Sequence, residues 1–474
     1  MLFCTGQFFW FFLVVFVAYW AVPWPRGRVA LLLAASGYFY ACWNPWLMIL
    51  VFASSTLDYF IAHGIEAADS SRRKRLLLFV SVAVNLGLLG YLKYANFFLR
   101  SLETAAQSLG CATALPVLKV ILPIGISFYT FEAISYVTDV YWGKVRAERN
   151  LGHFLLFITF FPHLVAGPIV RGRDFLPQVG QPKRWVWARM DLGLRLILLG
   201  LIKKLAIADR LALYADPAFA APDTFSAGTL WLAAVACAFQ CYCDFSGYSD
   251  MALGLARLLG YRLARNFDRP FLAPNLAEFW RRWHISLSSW LRDYVFIPLG
   301  GNRGGRWATC RNVLVVMTLA GLWHGAGWNF ILFGVAQGVL LIVHRLFREW
   351  SESRPGLRAM LQTGPGTALR VGVTFTSFLL TLVIFRTTTP GLAETMLGRM
   401  LRPAQGSGFT LVPWGLYVTL AAVAVGHLLG APGRAARLWE ALPRPVRGLA
   451  FGGAITLAVV LAPPSDKAFL YFQF

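Results

Sequence analysis

Apolar runs recur near residues 8–22, 29–42, 46–62, 76–92, 117–142, 151–170, 190–208, 229–250, 311–323, 327–343, 368–385, 408–430 and 448–463, with polar or basic segments between them. A helix needs about 20 mostly apolar residues to cross a bilayer. The pattern therefore predicts roughly ten full crossings plus shorter pieces. Composition agrees: 57% apolar, 15% aromatic and 14% charged residues make a chain of 474 residues too apolar for a soluble fold. The expected class is an all-α polytopic membrane protein. No linker or internal repeat marks a second domain, so 1–474 reads as a single domain. The first run, Met1 to Val22, lacks a basic leader and a small-residue cleavage pattern, and is expected as a retained span rather than a signal peptide.

Net charge is +22, and most of the excess falls in connecting segments. Arg26 and Arg28, Arg72 to Arg75, Lys144 to Arg149 and Arg171 to Arg189 alternate correctly if the N-terminus is outside. The segment Arg257 to Arg311 carries ten Arg, no Lys and three acids, and Arg345 to Arg358 and Arg434 to Arg447 are also basic. All three segments are then cytoplasmic, and the tail Ser465 to Phe474 lies outside. The basic excess fits an anionic inner leaflet or anionic ligand rather than nucleic acid, because no soluble basic domain carries a groove-binding surface. The seven Cys form no C-x-x-C pair, so neither a metal site nor a disulfide scaffold is expected.

Arg311 and Arg345 both belong inside, so the segment between them must enter the membrane and return. Asn312 to Trp323 is twelve residues, which at ~1.5 Å per helical residue reaches about 18 Å into a ~30 Å core. His324 would then sit near mid-depth, flanked by Gly321, Gly325 and Gly327. Irregular backbone at that depth survives only where protein or a wet cavity surrounds it, which predicts a polar cavity around His324. An imidazole there is either satisfied by hydrogen bonds inside a bundle or is functional, and the intramembrane position favours function.

The stretch Glu278-Phe-Trp-Arg-Arg-Trp-His-Ile-Ser-Leu-Ser-Ser-Trp-Leu-Arg-Asp-Tyr294 reads as one amphipathic helix. At helical period Arg281, His284, Ser288 and Arg292 share a face, with Phe279, Trp283 and Trp290 opposite. The Arg residues alone would suit a membrane-surface helix meeting lipid phosphate. His284 among them points instead to a site.

Phe245-Ser-Gly-Tyr-Ser-Asp250, Asn266-Phe-Asp-Arg-Pro270, Glu278 to Trp290, Ile297-Pro-Leu-Gly-Gly-Asn-Arg303 and Leu322-Trp-His-Gly-Ala326 together resemble the membrane-bound O-acyltransferase (MBOAT) family, and more narrowly its bacterial alginate O-acetylase branch. Pro123 to Phe131, Phe161-Pro-His-Leu-Val-Ala-Gly-Pro-Ile169 and the terminal Phe469-Leu-Tyr-Phe-Gln-Phe474 extend the resemblance over nearly the whole length. It implies an MBOAT-type helical funnel with roughly ten or eleven transmembrane helices plus re-entrant and amphipathic helices. It implies a bacterial inner-membrane enzyme taking an acyl group from a cytoplasmic thioester, with acetyl-CoA as donor, to an acceptor reached from outside. Carried over by motif, His324 is the catalytic base and His284 its partner. The implied partners are the bilayer, an extracytoplasmic esterase-like acetyltransferase and a polysaccharide acceptor.

The chemistry agrees from below. An attacking hydroxyl needs a base, and a neutral imidazole with a pKa near ~6.5 suits that role. Arg281, Arg282, Arg292 and Arg303 are the candidates for clasping coenzyme A phosphates in forked geometry, although positive-inside bias explains any single Arg equally well. Asp244 and Asp250 are expected to pair with such Arg residues. Tyr471 is a candidate acyl relay, its phenol taking the acyl group with His324 as base, and its competing role is an interfacial aromatic anchor. His163 is expected to be structural, and His63, His153, His344 and His427 have no assigned role. Peptidoglycan, cellulose or a teichoic polymer are alternative acceptors. The other classes considered are a polysaccharide transporter, for which paired charges within long spans and pseudo-symmetry are missing, and a non-catalytic export-complex subunit.

Overall fold

Asn, Ser and Thr side chains mark where many of the helices begin. Asn44 accepts hydrogen bonds from the Trp46 and Leu47 amides, and Thr5, Ser70, Asn150, Asn275, Thr363 and Thr389 do the same at other starts. Each cap satisfies amide donors that the first helical turn leaves open. The computed structural model describes residues 1–462 apart from 112–113, 124, 165–166, 403–404, 410, 412–413 and 431–433. It is helical throughout, and the only pairing of strand type among the described residues is an isolated bridge between Phe225 and Ser407.

Five helices among the described residues are long and apolar enough to cross a membrane: Pro45–Ala67, Ser71–Ser108, Ala227–Leu258, Trp328–Glu352 and Gly364–Arg386. Three shorter apolar helices, Gly6–Ala21, Leu151–Leu164 and Trp414–Leu429, add to them. The remaining apolar runs are interrupted rather than absent. The run near 117–142 becomes helical only at Ile126, after Gly125 turns the backbone at φ 76°. The run near 190–208 passes from α-helix into a wider π-helical stretch at Ile202–Ala208.

The chain divides into two units, residues 1–197 with 251–264 and residues 198–250 with 265–474. In the first, Ile126–Tyr141 is buried along nearly its whole length and packs on Pro45–Ala67 and Ser71–Leu89. Several of its interior polar groups are hydrogen-bonded in clusters. Asp58 accepts from Ser81 Oγ at 2.5 Å and Asn85 Nδ2 at 2.8 Å. Glu132 Oε1 accepts the Val170 amide at 2.8 Å. Fully buried His163 hydrogen-bonds through Nε2 to the Phe157 carbonyl at 3.1 Å, and its Nδ1 stands 3.3 Å from Glu132 Oε1 without a hydrogen bond.

The second unit is organised around a hairpin of Gly305–His324 and Trp328–Glu352. Its arms are pressed together at glycines. A Cβ on Gly321 would meet the Phe330 carbonyl at 2.1 Å, and one on Gly334 would meet the Met317 carbonyl at 2.4 Å. Such contact through small residues is how helices associate where lipid removes the hydrophobic drive. An aromatic core of Phe271, Phe279, Trp283 and Phe378 lies beside it, with Phe279 and Phe378 centroids 4.6 Å apart.

Candidate active site

His324 is the last residue of its helix and is 5% exposed. The first arm of the hairpin is longer than the twelve residues expected, because it starts at Gly305 and runs for 20. Its start is tied to the turn before it: Asn312 Nδ2 donates to the Leu299 and Gly301 carbonyls at 3.1 and 3.0 Å, and within the first turn Thr309 Oγ1 donates to the Gly305 carbonyl. At ~1.5 Å per residue this arm reaches about 30 Å, so the length argument for a half-deep hairpin fails. What holds is that both arms meet at His324.

The His284 segment also departs from its expected form. Instead of one amphipathic helix there are two, Leu276–Arg282 and Ile285–Leu291, broken at His284 with φ 44° and ψ 54°. Asn266 makes the break. Its carbonyl accepts the Ile285 amide at 2.9 Å, and its Oδ1 accepts the Ser286 amide at 3.2 Å and hydroxyl at 2.8 Å. The Asp268 amide donates to the Arg282 carbonyl at 2.9 Å, which ties down the other side. A non-glycine residue in the left-handed region is strained, and this network holds it there.

That strain turns His284 inward, away from the Arg residues once expected beside it. Its ring is wholly buried, edge-on to Phe245 at 4.6 Å, Trp323 at 5.6 Å and His324 at 6.3 Å between centroids. Neither ring nitrogen meets a hydrogen-bond partner on another described residue. His324 is held at 5.1 Å by Trp323 and 5.2 Å by Phe385. A buried imidazole without hydrogen-bond partners is costly, which makes His284 a candidate for a functional position.

A cavity of about 30 Å³ adjoins His324, lined also by Cys241, Asp244 and Phe245, by Trp280 and Trp283, and by Phe333, Phe378, Leu382 and Phe385. The polar cavity expected from the sequence is in fact mostly aromatic, with Asp244 as its charged wall. The space is enough for one or two waters. Trp280 Nε1 donates to Gln337 Oε1 at 3.1 Å, and Gln337 Nε2 donates to Thr381 Oγ1 at 2.7 Å, which locks three of the surrounding helices.

Asp244 and Asp250 pair with lysines, not with the Arg residues expected. Lys204 Nζ lies 2.8 Å from both Asp209 and Asp244, and Lys203 Nζ is 2.6 Å from Asp250. The lysines come from the Ile202–Ala208 π-helical stretch. Of the proposed donor-binding residues, Arg281 and Arg282 share Glu278 at 3.2 and 3.0 Å, Arg292 pairs with Asp293 at 2.8 Å, and Arg303 is exposed. None of the four lines the His324 cavity. Tyr471 lies outside the described residues. Asn266, Asp244 and Phe385 were not singled out for the site by sequence. The Asn266 motif was visible, but its capping of a helix break was not.

Residues 146–378 match the profile of the membrane-bound O-acyltransferase family. The chain is 44% identical over 349 residues to the probable alginate O-acetylase of Azotobacter vinelandii, covering 73% of this chain and 69% of that protein. Against the probable alginate O-acetylase of Pseudomonas putida it is 41% identical over 404 residues, covering 84% and 80%. It is also 37% identical over 362 residues to the peptidoglycan O-acetyltransferase of Helicobacter pylori, covering 70% and 68%. With these matches and its apolar helices, the chain belongs to the membrane-bound O-acyltransferase family, as a multi-pass membrane O-acyltransferase similar to the bacterial alginate O-acetylases.

Proposed function

We propose that the protein, acting as one domain over 1–474 in a bacterial inner membrane, moves an acetyl group from cytoplasmic acetyl-CoA for O-acetylation of an exported, alginate-like polysaccharide. The observation that carries this reading is the buried His284 and His324 pair beside a small cavity. His324 takes the proton of an incoming hydroxyl as its oxygen attacks the thioester carbonyl. The tetrahedral intermediate then collapses, the C–S bond breaks, and the thiolate leaves with the proton from the imidazolium. The carbonyl end of the Gly305–His324 helix is a favourable neighbour for that transient cation. General-base catalysis of this kind contributes on the order of 10² to 10⁴ in rate. His284, with both nitrogens open, orients the acyl oxygen or the hydroxyl.

Arg281, Arg282, Arg292 and Arg303 serve the donor as a cytoplasmic basic surface rather than as part of the cavity wall. Tyr471 carries the acyl group outward as an ester and hands it to an extracytoplasmic esterase-like partner that completes transfer to the polymer. The alginate relatives support the acceptor class, and the peptidoglycan relative supports a second reading in which that wall polymer is the acceptor. Mass spectrometry of surface polymers from cells carrying wild type, His324→Ala or Tyr471→Phe tests the scheme. The expected result is loss of acetyl groups in both variants with unchanged protein level and polymer export. Normal acetylation in His324→Ala would overturn the enzymatic role, and normal acetylation in Tyr471→Phe would overturn the relay alone.

A further inference from the structure

A second and larger cavity of the 198–250 and 265–474 unit, about 570 Å³, lies among the C-terminal half of Trp328–Glu352, the short helix Pro355–Gln362 and the first half of Gly364–Arg386. One side is basic: Arg348, Arg358 and Arg370 line it together with His344, and no carboxylate does. The other side is apolar and open on its outer surface, with Val343 54%, Leu369 60% and Val373 59% exposed. Arg370 is fixed in place, its Nη1 donating to the Leu361 carbonyl at 3.2 Å and its Nε to Pro274 at 3.4 Å. Arg348 reaches Glu352 only at 3.9 Å, both exposed, and no ion pair or side-chain hydrogen bond involves Arg358 among the described residues.

The depth of the cavity matches its chemistry. From Arg348 back to Leu340 is eight residues, and from Arg370 to Ser377 seven, so it extends about 10 to 12 Å along both helices at ~1.5 Å per residue. Its basic mouth belongs to a segment that loop charge places on the cytoplasmic side. A headgroup phosphate at the guanidiniums would set glycerol and the first methylenes against Val343, Leu369 and Val373. We infer that this cavity holds an anionic phospholipid of the cytoplasmic leaflet, with Arg348 and Arg358 on its phosphate and the apolar helix faces on its acyl chains. Arg presents forked donors to phosphate, and each basic residue near an anionic surface adds attraction. Acetyl-CoA shares the phosphate but has no long chain for the exposed apolar wall.

Native mass spectrometry of the full-length protein in detergent, with added phosphatidylglycerol, phosphatidylcholine, inorganic phosphate or acetyl-CoA, tests this. Phosphatidylglycerol is expected to remain bound in preference to phosphatidylcholine, and to be displaced by neither inorganic phosphate nor acetyl-CoA. The double variant Arg348→Gln and Arg358→Gln, checked for an unchanged unfolding temperature, should lose binding about tenfold or more. Arg348→Lys with Arg358→Lys should restore part of it, which keeps the test valid if the Gln variant is unstable. Equal retention of both lipids, unaltered binding in the Gln variant, or displacement by acetyl-CoA would overturn the proposal. His324→Ala should bind phosphatidylglycerol normally, so this result is separate from that of the acyl-transfer reading.

Discussion

Two histidines buried to the same degree behave differently. His163, in the unit of residues 1–197 and 251–264, keeps one hydrogen bond, from Nε2 to the Phe157 carbonyl at 3.1 Å, while its Nδ1 stands 3.3 Å from Glu132 Oε1 without forming one. His284, in the other unit, has no such partner on either nitrogen and is held in a strained backbone conformation next to His324. A buried imidazole that keeps one hydrogen bond is accounted for by the fold more fully than one that keeps none, because each unmet polar group costs free energy. Burial alone does not distinguish these two histidines; the hydrogen bond at His163 Nε2 does.

The largest expected effect on this contrast is from His284→Ala. Acyl transfer should fall by about 10² or more, with little loss of stability, because the substitution removes an uncompensated polar group. A turnover assay in purified membranes, normalised to folded protein, checks it, and a destabilised but active variant would reverse the comparison. Asn266→Ala comes next. It should free His284 from the left-handed region and lower kcat by roughly tenfold through misplacement, with KM for the donor little changed. A change in KM alone would mean that Asn266 acts elsewhere.

His163→Ala should do the opposite of His284→Ala. It leaves Glu132 without its imidazole and should cost about 1–3 kcal/mol of stability, seen as a lower unfolding temperature, with turnover per folded molecule near wild type. A collapse of turnover at full stability would make His163 part of the chemistry. The smallest effect is expected from Arg303→Gln, a few-fold rise in donor KM at constant kcat, consistent with an exposed surface charge whose worth is modest.

Much of this contrast was legible in the chain. His324, flanked by glycines, does lie at the junction of two apolar helices, as the apolar runs predict. The break at His284 was hidden, because seven-residue helices on either side keep the helical period and the break depends on hydrogen bonds from Asn266, 18 residues away. The lysine partners of Asp244 and Asp250 were also hidden, since the π-helical stretch that aims them leaves no mark on the apolar pattern. Interruptions of the apolar runs were hidden too, because a run such as 117–142 contains an extended entry that periodicity does not distinguish from helix.

The central claim is that His324 performs the proton transfer. Its most direct test is the rate of acetyl transfer by His324→Ala in membranes, per folded protein, with His163→Ala measured alongside. The account predicts a fall of at least about 10² for His324→Ala and a rate within a few-fold of wild type for His163→Ala. A His324→Ala rate close to wild type would contradict it.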